Sequence, residues 1–165
     1  MFNNIVLIGF MGAGKTTIGR ELAKKLDLVL LDSDSIIEVN CGMSVNEIFV
    51  RYGEKYFREC EIKLCEWIKN NVKNAVISTG GGMPMQYDMR DIGNVFYLQA
   101  PIEALIERIE TDGISKRPVY RRFKVSGDLY NQRVKKYELQ ADYTLNAMES
   151  ISEITTKIYN HIKAY

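Results

Sequence analysis

Short apolar runs alternate along this chain with stretches in which apolar positions recur every three or four residues. The runs Ile5–Ile8, Leu28–Leu31, Ala75–Ser78, Val95–Leu98 and Tyr143–Leu145 are too short for helices and predict buried strands. Helical spacing covers Lys15–Leu26, Ser33–Cys41, Val45–Asn70, Ile102–Glu110, Asp128–Gln140 and Ile151–Ala164. Ser44 followed by Glu47 reads as a capping box opening the longest of these, and Gly53 predicts a break inside it. This strand–helix rhythm predicts an α/β fold with a parallel sheet covered on both faces. Ligands of such sheets bind at the carboxyl ends of the strands. The segments that follow the first three strands are a glycine loop, Asp32-Ser33-Asp34, and Thr79-Gly80-Gly81-Gly82, and all three are expected on one rim.

The glycine loop is Gly9-Phe10-Met11-Gly12-Ala13-Gly14-Lys15-Thr16. It fits the phosphate-loop pattern G-x-x-x-x-G-K-[ST], and it stands between a predicted strand and a predicted helix, as the mechanism requires. Glycines let successive backbone N–H groups turn inward toward an anion, and the helix N-terminus adds its positive dipole end. Lys15 brings a full charge to the β/γ-phosphates, and the Thr16 hydroxyl can ligate Mg²⁺. A glycine-rich turn without a ligand is the alternative.

The 165 residues suit one domain, and the formal net charge of +1 gives no global field for nucleic acid or a membrane surface. No apolar run approaches a membrane span, and the N-terminus lacks the pattern of a signal peptide. Cys41, Cys60 and Cys65 are an odd number without metal-site spacing, as expected for packing thiols in a reducing cytoplasm. A zinc site is not expected with His161 as the single histidine.

Phosphoryl transfer needs positioning and charge neutralisation more than covalent chemistry. Segment 111–125 is basic, broken and aperiodic, with Lys116, Arg117, Pro118, Arg121, Arg122 and Lys124. It reads as a solvated loop or, beside a phosphate loop, as a lid whose best phosphate ligand is Arg117. If strand geometry persists, Asp32 and Asp34 point to the same side, one toward Mg²⁺ and one toward an acceptor hydroxyl. A helix cap is the other reading of that triplet. Arg58 and Glu61 are one helical turn apart and form either a guanidinium-holding pair or a surface salt bridge. The triplet Gly80–Gly82 lets a ligand approach the backbone or is a plain loop.

Taken together, Gly9–Thr17, Leu31-Asp32-Ser33-Asp34, Phe57-Arg58-x-x-Glu61 within Gly53–Glu61, Gly80–Gly82 and Arg117-Pro118 resemble, in order and spacing, the shikimate kinase family over nearly the whole chain. The resemblance implies a phosphate-loop fold of the nucleoside-monophosphate-kinase type, with a five-stranded parallel sheet, a substrate-binding region at about 33–61 and a lid at 111–125. It implies ATP-dependent phosphorylation of the shikimate 3-hydroxyl, in the pathway to chorismate and aromatic amino acids. By the same resemblance, Gly12, Ala13, Gly14, Lys15, Thr16 and Thr17 hold ATP, with Arg108 against adenine and Arg117 over the phosphates. Thr16 and Asp32 serve Mg²⁺, and Asp34 holds the substrate hydroxyls and acts as base. Arg58 grips the substrate carboxylate with Glu61 in support, Gly80, Gly81 and Gly82 contact the substrate, and Arg133 resembles the second substrate arginine. Lys15, Asp34 and Arg117 are the catalytic set. A cytoplasmic monomer that uses ATP and shikimate, without nucleic acid or membrane, is the expectation.

The chain departs from the family pattern at Val134-Lys135-Lys136, at Asn146-Ala147 and at Val119-Tyr120. Another small-metabolite kinase, such as a gluconate kinase, is the nearest alternative. The set of Asp34, Arg58 and Gly80–Gly82 fits a carboxylate-bearing polyol better. A regulatory protein that binds ATP without turnover is a second alternative. A GTPase is disfavoured, because no Asn-Lys-x-Asp occurs.

Overall fold

The apolar runs pair side by side. In a computed structural model, which describes residues 3–111 and 127–164, β1 (Asn4–Ile8), β2 (Val29–Asp32), β3 (Ala75–Ser78), β4 (Gly93–Gln99) and β5 (Tyr143–Asn146) form one parallel sheet of order β2-β3-β1-β4-β5. Ile5 lies opposite Val76 on one side and Asn94 on the other, which puts β1 at the centre. Every residue of β1 and β3 is buried, the result expected of strands covered on both faces. Helices supply that cover: α1 (Lys15–Leu26), α2 (Ser33–Cys41), α3 (Val45–Asn71), α4 (Met83–Gln86), α5 (Ile102–Thr111), α6 (Gly127–Gln140) and α7 (Ile151–Lys163).

Helix α1 packs against β2, β3 and α7, while α3, α4 and α6 contact one another in succession and α6 reaches β4. Close approach fixes α1: a Cβ on Gly19 would stand 2.9 Å from Leu30 Cδ1 and 3.3 Å from Leu7 Cδ1. The phosphate loop is thus held at a set height above β1.

The capping box at Ser44 is formed in full, with Glu47 N–H donating to Ser44 Oγ and Ser44 N–H donating to Glu47. Gly53 breaks α3 as expected, with φ 81° and ψ 172°. This offset turns the second half of the helix, which carries Phe57, Arg58 and Glu61, over the rim of the sheet.

Two sequence expectations change. Strand geometry does not persist through Asp34: the strand ends at Asp32, and Asp34 lies in the first turn of α2. Asp32 caps that helix by accepting from Ser35 N–H at 3.1 Å, as the capping reading of the triplet expects. The short helix α4 and a 3₁₀ turn at Met89–Asp91 were not expected from periodicity. Arg117 and the rest of the proposed lid beyond Thr111 lie outside the described residues.

Candidate active site

All three rim segments meet. Gly12 and Gly14 take φ of 82° and 90°, a region that favours glycine, and Gly14 leads directly into α1. Lys15 folds back over the loop, its Nζ donating to Gly9 O at 2.8 Å and Phe10 O at 2.9 Å. Its side chain thereby spans the loop mouth, where loop amides and the start of α1 converge. Ala13 is buried under the loop, and Thr17 is exposed on the first turn of α1.

Thr16 Oγ1 donates to Asp32 Oδ2 at 2.7 Å and lies 3.1 Å from Ser78 Oγ. Two hydroxyls and a carboxylate, one at the end of each of three neighbouring segments, make a compact set of hard oxygen donors. Such a set suits Mg²⁺ that keeps waters and phosphate oxygens as its other ligands. Ser78 was not singled out from sequence, because a serine ending a strand carries no pattern.

Arg108 reaches across from α5, its guanidinium donating to Gly12 O at 3.4 Å and to Ala147 O at 2.9 Å. It therefore ties the phosphate loop to the turn after β5, the very place where Asn146-Ala147 departs from the family pattern. The contact needs only a backbone carbonyl from residue 147 and so does not depend on the side chain there.

On the other side of the loop, Asp34, Arg58, Glu61 and Arg133 crowd around Gly80–Gly82. A Cβ on Gly80 would fall 2.7 Å from Asp34 Oδ1 and 3.2 Å from Glu61 Oε1. One on Gly82 would overlap the Arg58 guanidinium, and one on Gly81 would stand 3.3 Å from Arg133 Nη1. The triplet is thus required because four charged side chains lie against its backbone. None of the three glycines adopts the left-handed region. Ser33 fastens the segment, its Oγ accepting from Gly80 N–H at 2.8 Å.

The Arg58–Glu61 pair is not a surface salt bridge. Glu61 is fully buried, and its Oε2 accepts from Arg58 Nη1 at 2.6 Å. Glu54, one turn earlier, accepts from Arg58 Nε and Nη2 at 3.2 and 3.0 Å. Two carboxylates therefore fix one guanidinium, and Glu54 was missed from sequence. Arg133 is buried as well and lies over the Phe10 ring at 5.3 Å, a cation–π contact. Its Nε–H and Glu61 Oε1 find no partner among the described residues. Buried polar atoms of this kind are uncommon and mark a place prepared for a polar ligand. Arg58, Gly82, Met85, Leu129 and Arg133 line a cavity of about 180 Å³ there.

Burial pushes the Glu61 carboxyl up to about 7, and Asp34 adds to the rise while Arg58 opposes it. Unfolded, the same group titrates near 4.5. Between these values the folded protein holds a proton that the unfolded chain has released. The group's contribution to stability is complete below about 4.5 and is lost as pH rises through about 7. Glu61→Gln should therefore flatten the fall in melting temperature between about pH 5 and about pH 8, removing a term of up to about 3 kcal/mol. A variant that loses stability over that range as steeply as the parent contradicts the buried, proton-holding role.

The shikimate kinase family model matches residues 11–163. A shikimate kinase of Helicobacter hepaticus is 48% identical over 155 residues, covering 94% of this chain and 93% of that protein. A structure of shikimate kinase from Acinetobacter baumannii in complex with shikimate superposes with a TM-score of 0.84 at 31% identity, covering 99% of this chain and 94% of that one. Deoxyadenosine kinase from M. mycoides, at 17% identity and a TM-score of 0.62, covering 97% of this chain and 99% of that one, shares the fold alone. With a family model spanning the phosphate loop to the last helix, and a relative nearly half identical along almost its full length, this chain belongs to the shikimate kinase family.

Proposed function

We propose that the protein moves the γ-phosphoryl group of ATP to the 3-hydroxyl of shikimate, giving shikimate 3-phosphate and ADP. The observation that carries the substrate assignment is the pair of arginines, Arg58 partly buried and Arg133 buried, held beside the phosphate loop against Gly80–Gly82 with Asp34 and Glu61. Two guanidinium groups with paired donors suit one carboxylate, and the neighbouring carboxylate of Asp34 suits ring hydroxyls. Shikimate offers both kinds of group.

In this reading the phosphates take over the bonds that Lys15 Nζ makes to Gly9 O and Phe10 O. Gly12, Ala13, Gly14, Thr16 and Thr17 cradle them. Thr16 and Asp32 would hold Mg²⁺, which when bound neutralises charge between the β- and γ-phosphates. Arg108 flanks the adenine side through its hold on Gly12 and Ala147. Asp34 accepts the hydrogen bond of the 3-hydroxyl and then its proton, as oxygen bonds to phosphorus and the β–γ bridge breaks. Arg117, from a lid at 111–125, completes the neutralisation, and residues 33–61 form the substrate-binding region. Free thiols at Cys41, Cys60 and Cys65 support a reducing cytoplasm as the setting. Among the described residues no helix is long and apolar enough to cross a membrane. A monomer completes the proposal.

Arg58→Ala separates the two substrates. The KM for shikimate should rise about thirtyfold or more, the loss of roughly 2 kcal/mol of charge-assisted bonding. The KM for ATP should stay within about twofold. An effect confined to ATP contradicts the assignment.

A further inference from the structure

Helix α6 carries more of the substrate site than Arg133. One turn further on, Tyr137 is fully buried, and its hydroxyl donates to Gly81 O at 2.5 Å. The Arg133 guanidinium lies against the same glycine, its Nη1 3.3 Å from where a Cβ on Gly81 would stand, and its charge acts on the Tyr137 phenol. Another turn on, Gln140 is buried too: its Nε2 donates to Pro84 O at 2.7 Å and its Oε1 accepts from Met89 N–H at 2.9 Å. Residues 133, 137 and 140 fall on one face of a helix. They form a buried polar stripe fastened at successive points to the chain between Gly81 and Met89.

We propose that Tyr137 is the positioning residue for the carboxylate end of the shikimate pocket, its single hydroxyl setting Arg133 and the Gly81 backbone in register with each other. This deepens the proposed function and rests on Arg133 facing the shikimate carboxylate. A phenol suits the task because it donates and accepts at one oxygen. It donates to the Gly81 carbonyl and keeps lone pairs that can accept from the neighbouring guanidinium. Burial, chiefly, holds its pKa above the ordinary tyrosine value, so the proton needed by Gly81 O stays in place throughout the working range. Phe10 supports the guanidinium from its ring face, and the Tyr97 ring packs on Tyr137 at 5.2 Å. The arginine therefore has a stacked ring, a hydroxyl and a glycine backbone around it, and its Nε–H has no acceptor among the described residues.

Tyr137→Phe removes one oxygen and keeps the ring. The expected result is a rise of about tenfold in the KM for shikimate, from the loss of one hydrogen bond to a charged group, with the KM for ATP unchanged. Tyr97→Phe removes a phenol oxygen from the same aromatic pair and should leave both KM values unchanged, which separates a local packing effect from positioning. A Tyr137→Phe enzyme with the parent's shikimate KM overturns the proposal while leaving the shikimate assignment standing. So does a variant in which the KM values for ATP and shikimate rise together, or one matched by Tyr97→Phe. A parent enzyme whose ATP turnover ignores shikimate removes the assignment and this inference with it.

Discussion

Lys15→Ala is expected to lower turnover by at least about a hundredfold, the loss of about 3 kcal/mol of transition-state stabilisation. Lys15 is nearly buried at the loop mouth, and its Nζ holds Gly9 O and Phe10 O at bonding distance. Once bound phosphates have taken over those bonds, a cation at the loop mouth needs no further reorganisation when charge builds on the transferring phosphoryl group. Alanine there leaves the loop glycines, α1 and the sheet in place, and the lost hydrogen bonds weaken the fold by only about 1 kcal/mol each. Activity should fall far more than melting temperature. A variant that turns over at the parental rate removes Lys15 from the mechanism.

Asp34→Asn should lower kcat by about a hundredfold to ten-thousandfold, the range for loss of a positioned proton acceptor. The amide has the same shape and can still hydrogen-bond a hydroxyl, so binding of shikimate should suffer less than turnover. A second, independent consequence follows from the charge. Asp34 is one of the groups that raise the Glu61 pKa, so its neutralisation should bring Glu61 below about 7. The pH at which the fold loses the Glu61 contribution should move down accordingly. An unchanged kcat rules Asp34 out as the base.

Much of this was legible in the sequence for physical reasons. The strands of a doubly covered parallel sheet are continuous apolar runs, and β1, β3 and β4 were found within a residue or two at most ends. The phosphate loop announces itself because lysine and glycine are demanded at fixed places by the geometry of phosphate binding. The burial of Glu61 was also within reach. Phe57, Glu61, Leu64, Cys65 and Ile68 are all buried on one face of α3, so a carboxylate had been placed on an apolar stripe.

Other features hid in the sequence. Asp32 both ends a strand and caps a helix, and a local turn rule outweighed strand alternation at Asp34. Helix α4 spans only Met83–Gln86, less than the repeat needed for periodicity to show. The reason for Gly80–Gly82 lies in side chains from α2, α3 and α6 that meet only after folding. The polar stripe of Arg133, Tyr137 and Gln140 was legible only at Arg133, which the family resemblance singled out. Its partners are the carbonyls of Gly81 and Pro84 and the Met89 N–H, which the sequence does not distinguish from any other backbone groups.

The most direct test of the account is ADP release from Mg-ATP with and without shikimate, with gluconate and a nucleoside monophosphate as parallel acceptors. Release that depends on shikimate, and on neither of the others, is the predicted result. Release at the same rate with and without shikimate, or driven by gluconate or the nucleotide instead, contradicts it.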